Sequence, residues 1–123
     1  MIHPLINAAG IGIKGGGLEA MLEATRRARE AGKGIYAMKA LGGGILAQDA
    51  AAALRFVSSL SWVDSVAVGM AGRAEVAMNV MVVSGAEVPP RVAAAAASVP
   101  RRLQVDEWCE GCGDCVPACT HGA

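Results

Sequence analysis

The chain has 123 residues, 54% of them hydrophobic and 18% charged, which predicts one small domain with an aliphatic core and excludes a disordered chain. Eleven basic residues balance eleven acidic residues, so we expect no polyanionic partner such as nucleic acid. No apolar run reaches the roughly 18 residues of a membrane-spanning helix, and the N-terminus carries no secretory signal pattern. We therefore expect a cytoplasmic protein without a membrane segment.

Strand-like and helical patterns alternate along the first 85 residues. Short apolar stretches predict strands at 1–7, 34–38 and 64–70. Helical patterns occupy 18–32, 47–60 and 72–85. The strand centres, Leu5, Tyr36 and Ala67, recur about every 31 residues, the length of a β-α-β unit. Uninterrupted apolar strands that alternate with helices predict an α/β fold with parallel strands.

The predicted sheet needs more cover than three helices provide. Successive right-handed crossovers wound in one direction place every helix on one face of the sheet. Ile35, Met38, Val66 and Val68 lie in strands that need cover on both faces. A closed β/α barrel gives that cover but takes about 250 residues, so we expect this chain to be the C-terminal part of one. The alternative is a small doubly wound domain whose strand order reverses.

Two glycine loops follow the second and third predicted strands. "LGGG" occupies 41–44 and "GMAG" occupies 69–72, and each precedes a helix. Glycines let a phosphate approach the backbone at a helix N-terminus, and the loops after the last two strands of β/α barrels frequently bind phosphate. These loops predict a phosphate-bearing cofactor, or else they merely turn the chain.

A third glycine pattern points to no dinucleotide site. Gly10, Gly12 and Gly15 match G-x-G-x-x-G between a strand and a helix. A dinucleotide fold also needs an acidic residue at the end of the next strand. That strand ends at Met38 and Lys39 without a carboxylate, so we interpret the segment as a loop.

The cysteines form the strongest motif in the chain. Cys109, Cys112, Cys115 and Cys119 have the spacing C-x2-C-x2-C-x3-C, which is the ligand run of a bacterial ferredoxin-type cluster. The fourth cysteine of such a run can ligate a second cluster, so we expect a labile or incomplete 4Fe–4S site. Structural zinc normally pairs two C-x2-C knuckles across a longer spacer, and disulfides need an oxidising compartment. His121 is a candidate substitute ligand or a solvated tail residue.

The sequence resembles the aldo/keto reductase family. "MKALGGG", "ALRFVSS", "VGM" and the Asn of "EVAMN" are similar to the last two β/α units of that family. "HPLIN" resembles its sixth barrel strand, and the cysteine run resembles the ferredoxin-type segment appended in one bacterial branch. The resemblance divides the chain into a partial barrel at 1–87, a linker or helix at 88–104 and a truncated cluster motif at 105–123.

The resemblance implies a (β/α)8 barrel that binds NAD(P)H across its mouth and reduces carbonyls. It assigns cofactor contacts to two loops and one helix, at Leu41, Gly42, Gly43, Gly44, Gly69, Met70, Ala71, Arg73 and Asn79. Asn79 matches an adenine-contacting Asn, although Met78 stands where the family often has Glu. Arg73 is a candidate partner of a 2′-phosphate or an exposed first-turn residue.

No catalytic residue is assigned to this chain. The resemblance places the family's Tyr acid and its Asp, Lys and His partners in the first half of the barrel. Tyr36 is expected in the core, and neither Lys39 nor His3 matches a catalytic position. We expect the chain alone to be inactive, as part of an oxidoreductase. The alternative is a non-enzymatic iron–sulfur electron-transfer or interaction module. The expected partners are the other barrel half, a second copy or a redox protein.

Overall fold

The computed structural model describes residues 1–99 and 107–118. Helices predominate, with two short strands among them. The elements are α1 (Gly17–Glu30), β1 (Tyr36–Ala37), α2 (Ala50–Ser58), β2 (Ser65–Val66), α3 (Arg73–Val83), α4 (Pro90–Ala97) and α5 (Cys115–Ala118). Two 3-10 turns, Gly42–Gly44 and Ala47–Asp49, lie between β1 and α2. The prediction of helices mixed with parallel strands is confirmed.

The three predicted strands are neighbours in chain order, and all pair in parallel. The paired positions are Tyr36 with Ser65 and Ala37 with Val66 between β1 and β2, and Ile2 with Ile35 and Leu5 with Met38 as isolated bridges. The N-terminal segment therefore lies on one side of β1 and β2 on the other. Regular pairing is shorter than predicted, since β1 and β2 have two residues each.

The helices share one face of this sheet. One core cluster unites all four long helices with the sheet, through Ile6, Ala37, Leu54, Val57, Met78, Val82 and Ala96, with Met21 and Leu22 packed against it. Tyr36 and Met38 alternate with Ala37 along the strand, so they project from the opposite face. Both are partly exposed there. The sheet thus has one packed face and one open face.

Two polar side chains fix α1 and the start of β2. The Thr25 hydroxyl donates to carbonyls within α1 and accepts from Trp62 Nε1 at 3.1 Å. Asp64 Oδ2 accepts from the backbone N–H of Ile35 at 2.7 Å and from Arg29 Nη1 at 2.9 Å. These bonds set the positions of the helix and the two strands that the loops of the candidate site follow.

The alanine-rich segment folds as α4 and packs against α3. Pro90 occupies its first turn, where a missing N–H costs nothing. Ala96 is buried, and Val88 and Val92 pack against the core cluster. Throughout the described residues, no helix has the length and apolar character needed to cross a bilayer.

Candidate functional site

The loop after β1 is a pair of turns that require glycine. Lys39, two residues after β1, is the one non-glycine residue of the described chain with a positive φ, 59°. Gly42, Gly43 and Gly44 follow with φ of 58°, 74° and 110°. A Cβ on Gly42 would lie 2.9 Å from Ile11 Cδ1, whereas none would meet an atom within 4 Å at Gly43 or Gly44. Gly42 is therefore a packing residue, and the backbone of the other two is accessible.

The loop after β2 leads into α3 with an acidic cap. Gly69 and Met70 are exposed, and Gly72 is the extended residue that precedes the helix. The backbone N–H of Ala71 donates to the carboxylate of Glu75, the third residue of α3. Glu75 is only 5% exposed, so a buried carboxyl group lies beside the N–H groups of the helix N-terminus. Acidic residues are favoured in the first turn of a helix by the positive end of its dipole.

A cavity of about 320 Å³ lies among the two loops and the helices. We call it the helix cavity. Its lining comprises Leu41, Gly44, Ala47, Gln48, Asp49, Ala50, Ala51, Gly69, Glu75, Met78, Asn79, Ala93, Ala96, Ala97 and Val99. The size is within the range of small-molecule sites. Its wall exposes polar and apolar surface in similar amounts, so it suits a flat ring with polar edges.

Asn79 is the most informative residue of the helix cavity. Its side chain is 8% exposed, and its Oδ1 has no hydrogen-bond partner within the described residues. Buried polar atoms are normally paired, so an unpaired carboxamide oxygen that lines a cavity indicates a donor absent from the structure. A ligand N–H group would satisfy it.

The predicted cofactor residues fall into three groups. Leu41, Gly44, Gly69 and Asn79 line the helix cavity together. The side of the loops that faces the open sheet carries Leu41, Gly43, Gly44, Gly69, Met70 and Ala71. Gly42 is buried under the loop and Arg73 is exposed, and neither belongs to the lining of these two spaces.

The second space is a cleft of about 790 Å³ on the open face of the sheet, which we call the open cleft. His3 and Tyr36 stack within it, with ring centroids 4.5 Å apart and planes 5° from parallel. Met38 and Lys39 complete this part of the lining. Tyr36 is partly exposed rather than a core residue, because strand alternation turns it away from the helices.

The described cysteines are exposed thiols. Cys109, Cys112 and Cys115 are free, and the intervening Gly111 and Gly113 have φ of 68° and 81°. Thiolates are soft ligands suited to iron–sulfur clusters and zinc, so the donor type fits either group. Within 1–99 and 107–118, no three His, Cys, Asp or Glu side chains come together as a ligand set. The predicted ligand Cys119 and the candidate His121 lie outside the described residues.

Sequence reasoning missed two parts of the helix cavity. Glu75 lies three residues after Gly72, which is the spacing of a helix-capping carboxylate, so a cap could have been predicted, although the donor is the N–H of Ala71 rather than that of Gly72. The wall formed by α4 could not, because five consecutive alanines (93–97) carry no amphipathic signal that marks an inner side.

The pKa shifts found here lie on the exposed surface of α1. Arg26 Nη2 lies 2.6 Å from Glu23 Oε2. Its hydrogen bond holds the pKa of the Glu23 carboxyl below the ordinary value, and the same bond raises the pKa of Arg26. Neither residue lines the helix cavity or the open cleft.

No protein-family model, no curated protein and no solved structure matches the chain.

Proposed function

We propose that this chain is the NAD(P)H-binding, C-terminal part of an aldo/keto reductase-type oxidoreductase and that its cysteine run holds a 4Fe–4S cluster. One observation carries the first half of the proposal. Both glycine loops and Asn79 meet around one cavity at the carboxyl ends of β1 and β2. Ligand sites of parallel α/β folds lie at that end of the strands.

The open face of the sheet supports the barrel part of the proposal. Three parallel segments lie in chain order, and their helices share one face. In a β/α barrel the other face is covered by the remaining strands. The three segments correspond in this proposal to strands six to eight, and the partner is the other barrel half or a second copy of this chain.

Different residues of this chain would bind different parts of the cofactor. Asn79 Oδ1 would accept a hydrogen bond from an amine of the cofactor, and the accessible backbone of Gly43 and Gly44 would hold its phosphates. Glu75 already holds the N–H of Ala71, so a phosphate near this loop uses other donors, with Arg73 available at the helix start. Bound NAD(P)H supplies a hydride.

The proton for carbonyl reduction comes from outside this chain. The resemblance assigns that acid to the first half of the barrel, and the His3–Tyr36 pair of the open cleft matches no catalytic position of the family. General acids contribute roughly a hundredfold to ten-thousandfold in rate. The isolated chain therefore binds cofactor without reducing aldehydes.

The cysteine run would hold the cluster through Cys109, Cys112 and Cys115, with Cys119 as the fourth ligand of the motif. The two left-handed glycines between the described thiols support this, because a loop that wraps a compact cluster needs such turns. A bound cluster supplies one-electron transfer. Zinc is the competing occupant.

Anaerobic reconstitution with iron and sulfide tests the cluster. We expect a broad visible absorption that bleaches on reduction, and Cys112→Ser should lose it. Stoichiometric zinc without that absorption would contradict the cluster and leave a zinc site.

NADPH titration followed by cofactor fluorescence tests the nucleotide site, with Gly43→Ala and Gly32→Ala as a matched pair. Both glycines have left-handed φ, 74° and 77°, and no atom within 4 Å of an added Cβ. The two substitutions therefore introduce similar backbone strain. Only Gly43→Ala should weaken NADPH binding. Equal binding by both variants would contradict the role of the loop.

A second candidate is a non-enzymatic iron–sulfur electron-transfer module. The exposure of the three described cysteines favours it, because a cluster near the surface exchanges electrons readily with a partner. A reconstituted cluster together with no measurable NADPH binding would select this function.

A further inference from the structure

One side of α4 forms a wall of the helix cavity. Ala93, Ala96 and Ala97 line it, and their spacing places them on one helix face. Val99 continues the wall just beyond the helix and touches the second glycine loop, since a Cβ on Gly72 would lie 3.3 Å from its methyl carbons. The helix that precedes the cysteine run in the chain is therefore also part of the cavity.

Asn79 gives an independent indication that this cavity holds a ligand. It lies on α3, across from the α4 wall, with an unpaired Oδ1 and more than nine-tenths of its side chain buried. The opposing alanines have no polar side-chain atom to offer it. Any donor that pairs with this oxygen must reach between α3 and α4.

We propose that α4 is a specificity-determining wall of the ligand site and that the size of its inner side chains decides which ring can lie beside Asn79. Alanine has the smallest side chain, so the cavity has room for a flat heterocycle. A larger side chain on this face would occupy the volume that the heterocycle needs. The inference relies on the proposed function only for the identity of the ligand, the adenosine end of NAD(P)H.

The helix offers matched controls of identical chemistry. Ala94 and Ala95 are exposed, as Ala97 is, but unlike Ala97 they do not line the cavity, so Leu at either position adds the same isopropyl group away from it. Leu is also a strong helix former, so neither set of substitutions should weaken the helix. Inner and outer variants then differ only in where the group is added.

The experiment measures adenosine binding by the full chain through saturation-transfer NMR. We expect Ala93→Leu and Ala97→Leu each to raise the Kd for adenosine at least about tenfold, while Ala94→Leu and Ala95→Leu leave it within about twofold. Circular dichroism of every variant confirms that the helices are intact. If Ala93→Leu does not fold, the Kd of Ala97→Leu alone is compared with those of the outer variants.

The outcomes separate this inference from the proposed function. Equal Kd values for inner and outer variants would overturn the α4 wall, and so would a wild-type chain that binds no adenosine. If adenosine binding follows the inner–outer pattern but NADPH does not bind, the wall stands and the oxidoreductase proposal fails.

Discussion

The two faces of the small sheet differ in how completely they are covered. On the helix face, Ala37 is fully buried, and Leu54 and Val57 of α2 are at most 1% exposed. On the open face, Tyr36 and Met38 are partly exposed and the stacked His3–Tyr36 rings border a cleft. The same strands therefore have a buried core on one face and a partly exposed surface on the other.

The contrast predicts that the helix face stabilises the fold and that the open face favours association. Burial of apolar surface contributes about 25 cal/mol per Å². The residues of the helix face are already buried, so this stabilisation is present in the folded chain. An apolar face beside open strand edges favours association, and the open face has both. Substitutions on the two faces should therefore affect different measurements.

The largest expected contrast is between Leu54→Ala and Met38→Ala. Leu54 is 1% exposed in the core cluster, and its truncation should lower the free energy of unfolding by about 2–5 kcal/mol. Met38 lies on the open face, where truncation should cost less than about 1 kcal/mol. Urea unfolding followed by circular dichroism measures both, at a chain concentration low enough to exclude self-association. A comparable loss at Met38 would mean that the open face is covered within the monomer.

Two buried asparagines should respond with opposite signs to replacement by Leu. Asn7 is fully buried, donates to the Ile11 carbonyl at 3.0 Å and accepts from the Ile11 N–H at 2.9 Å. Asn7→Leu loses both bonds and should destabilise by about 1–3 kcal/mol. Asn79→Leu removes an unpaired oxygen and should stabilise by about 1 kcal/mol.

Thermal unfolding of both variants, with adenosine binding measured in parallel, tests this pair. Asn79→Leu should unfold at a higher temperature and bind adenosine at least about tenfold more weakly. A fall in the unfolding temperature of this variant would show that Oδ1 has a partner in solution.

Association through the open face should be sensitive to a charge at Met38. We expect the wild-type chain to self-associate and Met38→Glu to raise the dissociation constant at least about tenfold, or about 1.4 kcal/mol. Val80→Glu is the control, because Val80 is 62% exposed on α3 and lies outside the cleft. Sedimentation velocity measures the change. If Val80→Glu dissociates the assembly and Met38→Glu does not, the interface lies on α3.

The sequence predicted the alternation of strands and helices because apolar periodicity reports burial directly. It overestimated the strands. Pro4 has no N–H to donate, so the first strand pairs with β1 only through isolated bridges, and Lys39 leaves the extended conformation at the end of β1. Neither the ladder nor its interruptions follow from hydrophobicity alone.

The candidate site was predictable in its loops but not in its walls. Glycine spacing and the resemblance pointed to residues 41–44 and to Asn79, and part of this set does line one cavity. The unpaired state of Asn79 depends on what packs around it, and the inner side of α4 depends on its docking against α3. Both are tertiary properties that local sequence does not encode.

The smallest expected effect is at the outer surface of the helix layer, where solvent screens charges. The hydrogen bond from Arg26 lowers the pKa of Glu23 from its ordinary value of 4.5. A carboxyl whose pKa is depressed by folding stabilises the folded state above its unfolded pKa, and that contribution is lost as pH falls through the folded value. Both side chains are about half exposed, so the contribution is minor.

Glu23→Gln should therefore lower the unfolding temperature slightly at pH 7 and leave it unchanged well below pH 4. Glu87→Gln, at an exposed position before α4, is the control and should change nothing at either pH. A loss at pH 7 as large as that of Leu54→Ala would place much of the chain's stability on its surface and overturn the contrast between the two faces.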